Sequence, residues 1–540
     1  MKNKIADILI LVFFIIFGFI LCAIQGQDAN YDLANYHYYG VWALLHGRIG
    51  YDIMPCGMQS YFNPLCDFPL YFLIKYFNNY PYIIEFFQSF WYGFSAFGIY
   101  KIAGLVFNGK DRVLYIILSV LIGITGILSV LEVGLSFNDL IIATFIILSV
   151  YMYLKHYYLV SEEKSIKILL LSSFLLGVAA GFKFSGFIFI IPLFVIHCIS
   201  LMKDKENDGL TRGKHILYAI IGFLIGFSIT GLWWYILIWY KFGNPFFPLM
   251  NNIFKSPLAF EQNYADIRHL PKNIWQYLFY PFYWVKNPEK LYVIEWINRD
   301  FRFVFMYIFS FIVIFKFIFL NVKRELNNSE INIKAYAFIF IFAILSYVLW
   351  INNSSILRYI VLLELLSGIF IVGAVLYLSN ILLQSGKYKI IQSVCIIFTI
   401  ILLVTTQYAD PIFSRVRIPF QKQFVNFPDL NLPDNSVVLG LGGFSPNILI
   451  PFQNKNIKFI FLYGEIQGYN FVYPQNEEEK IKEIINNKEL KKYLLYSDCI
   501  GIDINWDYIK EFVDIDKFNC SDIKSSWDVG YKICVEKEEK

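Results

Sequence analysis

Apolar runs of about 20 residues recur along most of the chain, and this repetition constrains the fold more than any other feature. A helix of that length crosses a hydrocarbon core of roughly 30 Å. Eleven such runs fall near 5–24, 82–106, 113–131, 139–158, 166–182, 184–202, 215–240, 302–320, 335–351, 357–380 and 389–407. Composition agrees: 57% of the residues are hydrophobic and 16% charged, against about 25% charged in soluble domains. The net charge of +4 is too slight to suggest nucleic acid. The expected fold class is mainly α, a polytopic transmembrane bundle of about eleven spans with a small extracytoplasmic α/β domain at the C-terminus.

The first run follows MKNK and is long enough to span, with no small-residue cleavage site after it, so it reads as an uncleaved anchor. Lysine and arginine then set the topology. Lys2 and Lys4, Lys110 and Arg112, Lys155 and Lys164, Lys203 to Lys214, Lys323 to Lys334, and Lys387 with Lys389 all fall on one side. The opposite short loops, 132–138 and 352–356, carry neither residue type. The N-terminus is therefore expected in the cytoplasm, in a multi-pass cell-membrane protein. Loops 27–80 and 241–301 and everything beyond 410 are expected outside. This divides the chain into a membrane module, 1–409, and a soluble domain, 410–540. In the latter, SVVLGLGG, IKFIFLYG and CIGIDI read as strands and 476–490 as a charged helix.

Residues 166–202 are too many for one span, about 55 Å if wholly helical, and contain no proper loop. Two short spans that break at Gly181-Phe182-Lys183 resolve the mismatch and put Lys183 on the outer side.

Chemistry concentrates in Gln27 to Pro69, which holds Asp28, Asp32, Asp52, Asp67, His37 and His46 among many aromatics. Leu33, Tyr36, Val41 and Leu44 share a helical face and Gly47 ends it. Asp32 at its start reads either as an N-cap or as a general base for an incoming hydroxyl. Asp28 is the second candidate. Glu132 and Asp139 flank the next outer loop, where a carboxylate beside the membrane is costly and usually has a role. Asp139 also fits a plain N-cap. Lys183 and Arg358 are lone cations at outer boundaries. They either snorkel to the interface or bind a phosphate, for which arginine offers two donors at once. NPLCDFP and NPFFP place rigid turns outside, for bracing or for seating a lipid. His37 and His46 are nine residues apart, wrong for a joint metal site on one turn, and are expected at the surface or in the core. Cys56 with Cys66, or Cys520 with Cys534, are possible disulfide partners in an oxidising compartment.

With these residues in place, the chain resembles the C-type superfamily of integral-membrane glycosyltransferases (GT-C), which includes protein O-mannosyltransferases and the lipid A aminoarabinose transferase. The family's first outer loop runs Asp-Glu-Ala-x-Tyr, a helix, then Gly about fifteen residues after the Asp. That register falls on Asp32, Leu33, Ala34, Asn35, Tyr36 and Gly47. Asn63-Pro64-Leu65 stands for the family's Pro-Pro-Leu, and Asn138-Asp139 for its second acidic motif. GVAAGFKFSG around Lys183, GNPFFP around Asn244, and Arg358-Tyr359 resemble recurrent features of bacterial members. The resemblance covers residues 5–380.

It implies transfer of a sugar from a polyprenyl-phosphate donor to a lipid, glycan or protein acceptor on the outer face, in cell-envelope glycan biosynthesis, with inversion. Asp32 would be the base. Asp28, Asp139 and Glu132 would support catalysis. Lys183 and Arg358 would hold the donor phosphate, and Tyr36, Asn63, Asn244 and Tyr359 would contact substrate or lipid. No cofactor is expected. Leu33 replaces the family's Glu, which leaves a divalent metal open but unsupported. The rival readings are an O-antigen ligase or polymerase, which should rely on arginine and histidine in a late loop, and a lipid-linked sugar transporter, which should carry ionisable residues within spans and an internal repeat.

Overall fold

A computed structural model describes residues 2–157, 162–203, 209–287, 299–319, 330–382, 388–408, 416–441, 446–466, 469–497, 506–525, 527 and 530–537. The chain divides into two compact units: one is Met1–Gln25, Phe86–Gly231 and His269–Ser414, the other Gly26–Glu85, Leu232–Arg268 and Arg415–Lys540.

The first unit is helical. Across the described chain, six helical stretches are long and apolar enough to cross a membrane: Lys4–Gln25, Asp139–Tyr157, Phe184–Met202, Gly209–Phe242, Ile333–Ile351 and Leu357–Ser379. Three shorter apolar helices are Arg112–Ile124, Ile166–Phe182 and Lys389–Thr405. The protein is thus multi-pass. All eleven expected runs are helical, but two of them break. The run at 82–106 becomes Pro81–Gln88 and Phe90–Val106, and that at 113–131 becomes Arg112–Ile124 and Ile127–Leu131. A 13-residue helix such as Arg112–Ile124 rises only about 20 Å. By contrast, the break inferred near Lys183 is present. Helix Glu162–Phe182 stops, Lys183 is extended at φ −146°, ψ 134°, and a single 3-10 turn leads into Phe187–Lys203.

Burial separates the helices by role. Leu357–Ser379 is the unit's core, with 94% of its apolar window buried, whereas Lys4–Gln25 buries 17% and turns Ile8, Leu9 and Phe13 outward, as a lipid-facing helix does. Helices Glu162–Phe182 and Gly209–Phe227 approach through glycine. A Cβ on Gly226 would lie 2.1 Å from the Phe174 carbonyl oxygen, and one on Gly177 equally close to that of Phe223. Small residues let backbones pack where no hydrophobic effect drives helix association.

The second unit contains a six-stranded mixed sheet. Its order is Tyr469–Phe471, Lys458–Ile466, Ser436–Leu441, Lys491–Ser497, Tyr531–Glu536 and Phe518–Ile523. The three strands around Ser436–Leu441 are parallel and the outer pairings antiparallel. Two of the expected strands and the charged helix, here Gln475–Asn486, are present. The expected strand CIGIDI lies outside the described residues. Cys520 and Cys534 are joined by a disulfide on adjacent strands, while Cys56 and Cys66, both buried, form no disulfide.

The loop that follows the first helix shares one hydrophobic core with this sheet. Tyr39, Val41, Trp42 and Met58 belong to the same buried cluster as Val438, Leu439, Ile460 and Leu494. Polar bonds reinforce the junction. Ile53 N–H donates to the Phe459 carbonyl at 2.9 Å, and Phe461 N–H to that of Ile53 at 3.0 Å. Asp52 accepts from Phe459 N–H at 3.0 Å, from Tyr39 Oη at 2.8 Å and from Arg48 Nε at 2.9 Å. Burial pushes the Asp52 carboxyl above its ordinary value despite Arg48, so this aspartate is part of the scaffold.

Candidate active site

In the helical unit, Glu132, Asp139, Lys183, Arg358 and Tyr359 come together from segments far apart in sequence. Lys183 Nζ lies 2.6 Å from Asp139 Oδ1 and donates to the Phe137 carbonyl at 2.8 Å. Arg358 Nε lies 3.5 Å from Asp139 Oδ2. Lys183 Nζ sits 5.0 Å from the centre of the Tyr359 ring, and the Arg358 guanidinium lies 4.3 Å over Phe137, both within cation–π range. The two cations therefore share one carboxylate rather than snorkelling separately. Burial pulls the Lys183 pKa down most, but the Asp139 charge, Tyr359 and the hydrogen bond to Asp139 together outweigh burial and Arg358, and the net shift is upward, so the ammonium stays charged.

Local sequence explains the placement. Lys183 occupies the helix break already described. Asn138 adopts φ +67°, a left-handed conformation that asparagine tolerates, and turns the loop so that Asp139 starts helix Asp139–Tyr157. Asp139 spends its carboxylate on the two cations.

Glu132 is 2% exposed, and neither of its carboxyl oxygens has a hydrogen-bond partner. Burial first, then the nearby Asp139, hold its pKa well above the ordinary glutamate value, while Arg358 and Lys183 oppose them. Such a group favours the neutral acid. With Glu132 protonated, Lys183, Arg358 and Asp139 leave one net positive charge.

A second buried acid, Glu364, went unnoticed in the sequence although it interrupts the apolar run VLLELL, a recognised signal. Its carboxylate accepts from the N–H groups of Leu128 at 2.9 Å and Ser129 at 2.8 Å. It caps the short helix Ile127–Leu131, whose far end carries Glu132. Only glycine fits beside it: a Cβ on Gly126 would lie 2.0 Å from Glu364 Cδ. Arg302, fully buried, holds the same break through the Ile122 carbonyl at 2.8 Å, Thr125 at 2.7 Å and Asp300 at 2.6 Å.

The remaining candidates lie in the other unit. Asp32 is 2% exposed in the first turn of the outer-loop helix, which continues through a π turn at Leu33–His37 into Tyr38–Leu45. π turns are frequent at functional sites. Asp32 makes no capping bond. That duty falls to Asn30, whose Oδ1 accepts from Leu33 N–H at 2.9 Å. The capping reading of Asp32 is thereby corrected, because the helix starts two residues earlier, at Tyr31. Asp32 Oδ1 accepts from Gln59 Nε2 at 3.4 Å.

Asp28 is tied into a turn, accepting from Asn30 N at 3.0 Å and Nδ2 at 2.7 Å. Asn63 caps the turn Pro64–Asp67 through Leu65 N–H, and Asn244 accepts from Phe246 N–H and donates to Leu249. Both side chains thus brace proline turns. Tyr36 lies edge-on to Phe62 at 5.4 Å and against His37. His37 Nδ1 meets Asp67 Oδ1 at 2.7 Å in the interior, and His46 stacks on Trp42. Among the described residues, no group of three or more His, Cys, Asp or Glu is arranged to hold a metal ion.

No protein-family model matches the sequence, and no curated protein does. Solved structures do. The crystal structure of apo ArnT from Cupriavidus metallidurans superposes with a TM-score of 0.55 at 10% identity, covering 99% of this chain and 98% of that one. ArnT bound to undecaprenyl phosphate gives 0.49 at 11% identity, covering 97% of each. At such identity the likeness speaks for the fold. The chain has the fold of ArnT.

Proposed function

We propose that this protein moves a sugar from a polyprenyl-phosphate donor to an acceptor hydroxyl on the outer membrane face, with inversion. The observation that carries this reading is the Lys183–Asp139–Arg358 cluster, with one net positive charge, beside aromatic rings. A phosphate leaves as a stable anion, so the reaction needs cations on the leaving group rather than a general acid. A glycosidase instead requires two carboxyl groups at a set separation.

On the donor side, Lys183 and Arg358 hold the phosphate and Asp139 fixes both cations. Charge accumulates on the phosphate oxygens as the bond to the anomeric carbon breaks, and preorganised donors stabilise that charge. On the acceptor side, the hydroxyl oxygen forms the new glycosidic bond and its proton passes to Asp32. The buried, non-capping position of Asp32 supports the base role. The membrane topology set by lysine and arginine places the N-terminus in the cytoplasm and residues beyond 410 outside, where such acceptors are found.

Transfer of radiolabelled sugar from a panel of undecaprenyl-phosphate sugars in proteoliposomes tests the proposal. Transfer by the wild type that is lost in Asp32→Asn and Lys183→Met supports it. Normal transfer by Asp32→Asn removes the base assignment, and no transfer from any donor favours the ligase or transporter readings.

A further inference from the structure

Asp32 terminates a hydrogen-bonded chain of three side-chain amides. Gln59 Nε2 donates to its Oδ1, Asn35 Nδ2 donates to Gln59 Oε1, and Asn447 Nδ2 donates to Asn35 Oδ1 at 3.0 Å. The order of donors is not arbitrary. An ionised carboxylate only accepts, so Gln59 must turn its NH₂ toward Asp32 and its oxygen toward Asn35. Asn35 must then supply its own NH₂ and turn its oxygen toward Asn447. All three amide dipoles align toward one carboxylate, and each bond polarises the next.

Three of its four members are internal: Asp32, Asn35 and Asn447 are 2%, 1% and 5% exposed, and Gln59 is half-buried. Its members come from three local structures of one compact unit, the π turn Leu33–His37, the 3-10 turn Gly57–Tyr61 and the segment Pro446–Phe452. Cys56 Sγ, which donates to the Asn35 carbonyl at 2.8 Å, further restrains the middle member. Two buried amides, Asn35 and Asn447, with the half-buried Gln59 beside them, cost more than leucines of similar size unless each is bonded. A directed chain that ends on a carboxylate gives them a purpose.

We propose that Gln59, Asn35 and Asn447 are positioning residues for Asp32, which make its orientation and ionisation depend on the C-terminal α/β segment. This rests on the reading of Asp32 as the base. It assigns the C-terminal segment a part in catalysis through Asn447, without contact between that residue and substrate.

The test uses the full-length protein in liposomes and needs no identified donor. Infrared difference spectra recorded against pH locate the protonated-carboxyl band that Asp32→Asn removes, and the midpoint of that band is compared among variants. Gln59→Leu removes the direct donor and is expected to raise the midpoint by about one pH unit. Asn447→Leu weakens the chain only by lost polarisation, so it raises the midpoint by a few tenths, and Asn447→Ser, which keeps a donor, restores it. Once a donor is turned over, the acidic limb of the pH–rate profile moves with the midpoint while KM for the donor holds. Midpoints that stay put in both leucine variants overturn the proposal, even if thermal stability falls, because a merely structural role would not retitrate Asp32. The two readings fail separately. Normal turnover by Asp32→Asn removes the base assignment, whereas unmoved midpoints remove the amide chain alone.

Discussion

Lys183 and Arg358, 175 residues apart in the chain, meet on the two oxygens of Asp139. Removing one cation leaves Asp139 in place and takes the cluster from one net positive charge to none. A charge-assisted hydrogen bond contributes about 1.5–3 kcal/mol, or roughly 10- to 100-fold in affinity. Lys183→Met and Arg358→Met are therefore each expected to weaken undecaprenyl phosphate binding by that factor, measured with radiolabelled lipid in detergent. Arg358→Lys should recover only part of it, because a point charge lacks the planar fork. Binding that is indifferent to both methionine variants would place the phosphate elsewhere.

The four aspartates of the first outer loop separate by what their carboxylates touch. Asp52 is consumed by Arg48, Tyr39 and Phe459 N–H, whereas Asp32 leaves the cap of its helix to Asn30 and accepts from Gln59. Asp52→Asn breaks a buried ion pair, which costs about 3–5 kcal/mol, and should lower the melting temperature of the detergent-solubilised protein sharply. Asp32→Asn keeps an oxygen that can accept from Gln59 Nε2, so it should lower the melting temperature less than Asp52→Asn and cut transfer by about 10²- to 10⁴-fold. Matched melting curves and transfer rates for the two variants check this, and equal destabilisation by both would make Asp32 a scaffold residue too.

Glu132 supplies a pH dependence with a definite sign. Its folded pKa is raised by burial and Asp139 against the pull of Arg358 and Lys183, with Glu364 adding to the rise. The fold thus favours the protonated form. The associated stability is fully present below the ordinary glutamate pKa and is lost as pH rises through the folded value. Ionisation above the folded value also puts a negative charge beside the two cations. Undecaprenyl phosphate affinity is expected to fall as pH rises through the folded Glu132 pKa in the wild type and to stay flat over the same range in Glu132→Gln. Lys183, shifted upward itself, remains charged there. Parallel falls in both proteins would show that another group titrates.

The helical architecture was legible because a 20-residue apolar run has few alternatives in a bilayer, and simple length arithmetic located the break at Lys183. The breaks at Ser89 and Gly126 were not legible. Nothing in GITGILSVL ends a helix by itself; Glu364, over 230 residues away, fills the gap beside Gly126 and takes the freed N–H groups. The site divides in the same way. Asp139, Lys183 and Arg358 stood out as charges where topology discourages them. Gln59 and Asn447 carry no charge and no spacing signal, and Asn447 lies 412 residues from its partner Asn35. The strand Lys491–Ser497 was also missed, since KKYLLYS offers too short an apolar stretch to show alternation.

Glu364 provides the strongest test of whether the short helix Ile127–Leu131 holds Glu132 in place. The carboxylate satisfies two N–H groups that have no partner within the helix, and leaving each buried without one costs about 1–3 kcal/mol. Glu364→Ala removes both bonds and opens space against Gly126, so the helix should lose its N-terminal anchor and Glu132 its fixed position. Glu364→Gln keeps one acceptor oxygen and the volume, and should be intermediate. Both variants are expected to lower the melting temperature, as any buried deletion would. The specific sign is the fall in undecaprenyl phosphate affinity as Glu132 ionises, which should flatten in Glu364→Ala as it does in Glu132→Gln, because a displaced Glu132 no longer titrates beside Lys183 and Arg358. A melting loss with the pH dependence intact would make Glu364 a stabiliser of the bundle with no hold on the phosphate site.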